Sequence, residues 1–267
     1  MEILIHKKPN PEKIPGFWEF EGNIAYNTDG TVMWTEVPSD SQLRLGNIKH
    51  MCYIENALND KLCNKLIELM NNCKNLQPVS ASGHMDLLDK EIGSMRATCW
   101  SESIAACIDN VFRHDKFKIK TATQYVPTDV DILNGNCLYR YHSVSPLLRF
   151  MKYENGSFHY PHYDAGYVYK NTNCRTLKSF VIYLTGNDKE FGGSTRFIND
   201  EQEDIKTEYR NHADWDRLPY EREIIDRIYP KKERVLVFDH RICHDVEKYI
   251  GSDQRIIIRG DLIYEKI

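Results

Sequence analysis

The chain has 267 residues, 41% hydrophobic and 28% charged, with a formal net charge of -4. That length and balance suit one large domain, or one domain with a small appendage, of an ordinary globular protein. No apolar run approaches the ~20 residues that a membrane-crossing helix needs, and the mildly acidic balance lacks the broad basic footprint of a nucleic-acid binder.

Residues 1–10 carry a short apolar patch followed by Lys7 and Lys8. That order is the reverse of a secretory signal, so the expected location is cytoplasmic. Residues 1–50 show little helical periodicity. Segments 17–20 and 31–37 alternate like short strands around the turn residues Asn27-Thr28-Asp29-Gly30, which predicts an N-terminal arm or hairpin. The spacing of Leu62, Leu66, Leu69 and Met70 predicts a helix over 59–73, capped by Asn59. A second helix is expected over 101–112, with Ile104, Cys107, Ile108 and Val111 inward. The polar stretch 77–95 between them reads as loop. Residues 51–135 thus form a helical support region.

From residue 136 the texture changes. Short β-rich runs appear at 138–142, 147–153, 177–184, 234–238 and 254–264, most of them separated by turn residues. Regularly spaced strands without intervening helices predict a sandwich or barrel. Residues 201–229 interrupt them as a charged insertion, partly helical over 220–228 in this reading. The eight cysteines form no CxxC pair, so free thiols in a reducing compartment are expected rather than a zinc cluster or disulfide framework.

The chemistry concentrates in three places. In Phe158-His159-Tyr160-Pro161-His162-Tyr163-Asp164, His162 and Asp164 point to one side of an extended chain. Alone, such a pair is weak, because an ordinary histidine is commoner than a ligand. Far along the chain, the hydrophobic run 235–238 leads to His240 and His244. Two histidines and one carboxylate would make a facial triad, the expected site of a non-haem Fe(II) oxygenase. Eleven residues after His244 comes Arg255, in a strand that also carries Arg259. An arginine pointing into a barrel needs an anion, and its planar fork suits a carboxylate. Arg255 and Arg259 are four apart and share a face, so alternation does not choose between them, and a structural salt bridge is the competing reading.

These motifs, in this order, resemble the prolyl-4-hydroxylase-like branch of the Fe(II)/2-oxoglutarate dioxygenases. The similarity lies in 148–153, then Gly156, Phe158, Pro161, His162 and Asp164, and in Phe191-Gly192-Gly193-Ser194-Thr195-Arg196-Phe197. It continues through 230–238, His240 and His244, and Gly251, Arg255, Arg259, Asp261 and Tyr264. It covers about residues 52–74 and 138–264.

The resemblance implies a mainly β (α+β) fold: a double-stranded β-helix, or distorted jelly roll, with N-terminal support helices. Its core would span 136–267. His162, Asp164 and His244 would ligate Fe(II), and Arg255 rather than Arg259 would hold the far carboxylate of 2-oxoglutarate. Tyr153 would hydrogen-bond that cosubstrate, and Thr195 would face the same pocket. The implied cofactors are Fe(II), 2-oxoglutarate and O2, with ascorbate as a further one. The implied activity is hydroxylation of an unactivated C–H bond with release of succinate and CO2. The expected substrate is a prolyl or other amino-acid residue of a peptide or protein. Alternatives are a small-molecule hydroxylase acting on a free amino acid or metabolite, and a non-catalytic binding module on the same fold. Departures from the family pattern are His159, where tyrosine is usual, and Glu233, where glycine is usual. In this reading His240 is a neighbour of the site rather than a ligand.

Overall fold

The computed structural model describes residues 37–83, 91–114, 137–201 and 217–267, together with 10, 12, 14, 16–22, 24, 117 and 123–125. Its elements are β1 (Phe17–Glu19), β2 (Gln42–Leu45), β3 (Met51–Glu55), α1 (Asp60–Asn71), β4 (Gln77–Ser80), β5 (Ile92–Trp100), α2 (Glu102–Arg113), β6 (Thr123–Tyr125), β7 (Cys137–Val144) and β8 (Leu147–Tyr153). There follow β9 (His159–His162), β10 (Cys174–Tyr183), β11 (Thr195–Ile198), β12 (Ile224–Ile228), β13 (Val235–Asp239), β14 (His244–Val246) and β15 (Arg255–Lys266).

From β8 onward the chain alternates between two sheets, except that β11 and β12 are successive strands of the smaller one. The larger sheet contains the run β8-β15-β10-β13, and the smaller has the order β12-β11-β14-β9. Every pairing in these two runs is antiparallel. This is the double-stranded β-helix, and it brings residues far apart in sequence to adjacent strands. The larger sheet grows outward through β5, β4 and β1 on one side and β3 and β2 on the other.

Each face of the larger sheet has its own core. Outward, Ile256, Ile258 and Leu262 of β15 join Phe180, Ile182, Val235 and Val237 against Leu62, Leu66 and Met70 of α1 and Ile104, Ile108 and Phe112 of α2. Each such side chain contributes about 1.5–3 kcal/mol on burial. Inward, Met151, Tyr153, Val181, Tyr183, Phe197, Leu236, Phe238 and Ile257 line the space between the sheets. The helices start where the sequence signals it. The Asn59 side chain accepts from the Leu62 amide and Ser101 from the Ile104 amide.

Three expectations meet a different outcome or lie out of view. The stretch 77–95, read as loop, contains β4 and the start of β5. Its strand pattern is obscured because β5 turns the polar Ser94, Arg96 and Thr98 to the inner side. Segment 220–228, read as partly helical, forms one 3-10 turn (Glu221–Glu223) and then β12. Its charges fall at helical spacing, but its β-branched Ile224, Ile225 and Ile228 suit an edge strand on β11. β1 runs parallel to β5; residues 25–36, with the turn and second strand expected there, lie outside the described residues. Glu233 adopts φ 71°, the left-handed region that favours glycine, which accounts physically for the glycine the resemblance expects there.

Candidate active site

His162 and His244 are direct cross-strand partners of β9 and β14. Asp164 follows two residues after β9, on the same side as His162. His162 Nε2 lies 3.9 Å from Asp164 Oδ1, and His244 Nε2 lies 3.8 Å from Asp164 Oδ2. The three donor atoms are all within 4.8 Å of one another. Among the described residues this is the only such group of histidine, cysteine and carboxylate side chains.

The surroundings orient each donor. His162 Nδ1 sits 2.8 Å from the Tyr160 carbonyl, and His244 Nδ1 sits 3.0 Å from the Ile242 carbonyl. Protons on both Nδ1 atoms leave each Nε2 as a lone-pair donor, the tautomer a metal requires. Burial, with His162 alongside, pulls His244 down to about 3, so its ring is neutral. Asp164 is held from both sides. Arg259 Nη2 lies 2.6 Å from Oδ1, and the Ser179 hydroxyl donates to Oδ2. Burial opposes its charge, but the Arg259 guanidinium beside it, helped by the Ser179 hydroxyl, holds its pKa well below the usual carboxylate range. Two imidazoles and one carboxylate form a donor set suited to Fe(II).

Deeper in the barrel lies Arg255, 1% exposed. Among the described residues no carboxylate pairs with its guanidinium, whose polar neighbours are the Tyr153 and Tyr183 hydroxyls. The guanidinium carbon stands 4.4 Å from the Tyr153 ring centre and 5.6 Å from that of Tyr183. Burial raises the pKa of both phenols, and the Arg255 charge opposes that rise. The Tyr183 hydroxyl lies 2.7 Å from Thr195 Oγ1. The Gly192-Gly193 turn closes over this end. Both glycines have positive φ, and a Cβ on Gly193 would stand 3.1 Å from Arg255 Cδ. A buried guanidinium without a counter-charge is costly, so this cradle fits a bound carboxylate. The described residues therefore fit both iron and 2-oxoglutarate.

The two arginines left undecided by spacing thus sit in different environments: Arg259 is paired with Asp164, and Arg255 has no carboxylate among the described residues. His159 lies outside the triad. Its Nε2 is 3.1 Å from Ser94 Oγ and its Nδ1 is 3.1 Å from the Ala81 carbonyl. Burial pulls its pKa down to about 3, and Gly93 leaves room for its ring, since a Cβ there would approach within 2.5 Å. His240 also stands apart, with Nε2 3.3 Å from Asp261 Oδ1. Sequence reasoning assigned no role to Ser179, Tyr183, Asp261 or Arg96, all of which face this interior. The polar alternation Ser94-Arg96-Thr98 was the available signal for the last of these.

Residues 148–260 match the 2OG-Fe(II) oxygenase superfamily. No curated protein sequence matches the chain. Among solved structures, the chain is similar to a viral collagen prolyl hydroxylase from Paramecium bursaria Chlorella virus-1, at 15% identity and TM-score 0.46, over 83% of this chain and 99% of that one. It is also similar to a Pseudomonas putida prolyl-4-hydroxylase, at 14% identity and TM-score 0.45, over 80% and 92%. A third likeness is a Trichoplax adhaerens prolyl hydroxylase in complex with a hypoxia inducible factor peptide fragment, at 14% identity and TM-score 0.47, over 81% and 85%.

Proposed function

We propose, from the match of residues 148–260 to the 2OG-Fe(II) oxygenase superfamily and from the site's donor set, that the chain is a hydroxylase acting on a prolyl or other amino-acid residue of a peptide or protein. His162, Asp164 and His244 hold Fe(II). Arg255 binds the far carboxylate of 2-oxoglutarate, with Tyr153 and Thr195 lining the same end. Iron and 2-oxoglutarate supply the oxidising power: one O2 is consumed, one oxygen atom enters the C–H bond, the other enters succinate, and CO2 leaves. The remaining work belongs to the protein. The carbonyls of Tyr160 and Ile242 fix the two imidazole tautomers. Ser179 and Arg259 fix the carboxylate. Met151, Val181 and Phe238 belong to the apolar cluster between the sheets, and the Phe238 ring stands 4.6 Å from that of His244. The His162 side chain is 41% exposed, which leaves that side of the triad open to an arriving substrate.

The observation that carries this reading is the buried Arg255 guanidinium, without a carboxylate among the described residues, inside the barrel that also holds the triad. A non-catalytic module has no use for a buried cation without an anion. The test is anaerobic titration of metal-free protein with Fe(II) and 2-oxoglutarate, following the visible charge-transfer band of the chelate. The band is expected in the wild type, absent in His162→Ala and weakened in Arg255→Ala. Folded protein that binds neither iron nor 2-oxoglutarate would sink the reading. Succinate release in the presence of ascorbate then screens candidate peptides and free amino acids.

A further inference from the structure

On its inner face the larger sheet carries more positive charge than its own carboxylates neutralise. Arg149 of β8 and Arg259 of β15 are direct cross-strand partners. Like charges in that relation repel unless something intervenes. Here two carboxylates do. Asp261 Oδ2 lies 3.3 Å from Arg149 Nη1, and Asp164 Oδ1 lies 2.6 Å from Arg259 Nη2. Both acids are thereby engaged. Arg96 is next in the array: it is the cross-strand partner of Met151, two residues along β8 from Arg149. Among the described residues no carboxylate pairs with it. Its surroundings are Arg149, Arg259, Tyr153 and His159, and burial together with the two neighbouring guanidiniums pulls its pKa down to about 10.

With Arg255 the inner face carries four guanidiniums against the two carboxylates Asp164 and Asp261, so two cations, Arg255 and Arg96, have no carboxylate among the described residues. Loading the site does not remove the excess, because the two positive charges of Fe(II) and the two carboxylates of 2-oxoglutarate cancel. Arg96 is half-buried rather than sealed. It lies one alternation along β5 from Ser94, whose hydroxyl meets His159 of β9. β9 ends three residues later on His162, the triad member whose side chain is exposed. Arg96 therefore sits on the side from which substrate reaches the metal ligands. A half-buried arginine among other arginines is electrostatically unfavourable in the free protein, and such sites are kept where an anion completes them.

We propose that Arg96 is a substrate-binding residue, and that the molecule hydroxylated carries a carboxylate which Arg96 receives beside the triad. This rests on the oxygenase reading and narrows its substrate class. The carboxylate comes either from a free amino acid or from an aspartate or glutamate close to the target residue of a peptide.

The test uses the whole chain with Fe(II) and 2-oxoglutarate. Four probe sets separate the sources: free L-amino acids, their carboxamides, blocked proline-containing peptides with flanking Asp or Glu, and the same peptides with Asn or Gln. Succinate release and product mass are read. Turnover is expected with the acids of one source and not with the matching amides. For the acid turned over, Arg96→Gln raises KM at least about tenfold, Arg96→Lys recovers part of that loss, and the Kd for 2-oxoglutarate holds in both variants. Equal turnover of acids and amides would overturn the proposal, as would a Kd for 2-oxoglutarate that shifts with Arg96→Gln. A second readout needs no substrate. In the metal-free protein Arg96→Gln is expected to raise Tm, because it removes an unmatched charge; a fall in Tm would assign Arg96 a structural role and overturn the proposal. Absence of the charge-transfer band in the wild type would defeat the oxygenase reading separately.

Discussion

The two faces of β15 are made by one strand and behave as different materials. Outward, Ile256, Ile258, Leu262 and Tyr264 pack into the core beneath the helices. Inward, Arg255, Arg259 and Asp261 alternate with them and are all buried or nearly so, Arg255 at 1% exposure and Asp261 at 7%. The outer face is saturated with apolar contact and contributes stability. The inner face holds charges that the protein alone does not fully pair. Residues one position apart thus serve opposite ends, and stability and binding can be separated by choice of face.

The largest expected effect is on the inner face. His244→Ala removes a metal ligand, so anaerobic titration with Fe(II) should show affinity lower by more than about a hundredfold, beyond the usual effect of losing a supporting residue. On the outer face, Phe180→Ala should cost about 3–5 kcal/mol in urea unfolding. Comparable loss of stability in His244→Ala would break the distinction between the faces. Arg255→Met sharpens it. The affinity for 2-oxoglutarate should fall by an amount equivalent to about 2–5 kcal/mol. Unfolding of the ligand-free protein should become harder rather than easier, since a buried unpaired cation is replaced by an apolar chain of similar size.

Smaller effects lie at the margins of the sheet. Glu55 of β3 accepts from Arg234 and also meets Lys231. Burial alone would raise its pKa, but these cations hold it below the ordinary value. A depressed carboxyl contributes stability that is present above its unfolded pKa of about 4.3 and lost as pH falls through the lower folded value. Glu55→Gln should therefore be less stable than the wild type by about 1 kcal/mol at neutral pH, and chemical denaturation should show that gap closing on acidification below that point. Smallest of all, Glu233→Gly should stabilise by about 0.5–1 kcal/mol, because φ 71° suits glycine. A loss of stability there would mean that the glutamate side chain makes a compensating contact.

How legible the molecule was in its sequence varies with the same division. α1, α2 and the outward-facing strands announced themselves through apolar periodicity, because a face that packs on a core must repeat with the geometry of its element. The stretch 77–95 reads as loop although it holds β4 and the start of β5, since Ser94 begins a polar face, continued by Arg96 and Thr98, on the side where a sheet usually buries apolar groups. Segment 220–228 reads as partly helical although it ends in β12, since edge strands carry charges that propensity alone assigns elsewhere. Both errors fall where tertiary context overrides a local pattern.

By itself the sequence determined the spacing that puts His162 and Asp164 on one side of an extended chain, the order of the motifs, and the outward core that drives folding. These are local or statistical properties of covalent neighbours. Only the tertiary structure decided that His244 faces His162 across a strand pair, that Arg259 pairs with Asp164 while Arg255 is left without a carboxylate, and that Arg96 of β5 joins them. Pairings of that kind depend on strand register between residues far apart in the chain, and on which charges find a counter-charge once water is excluded.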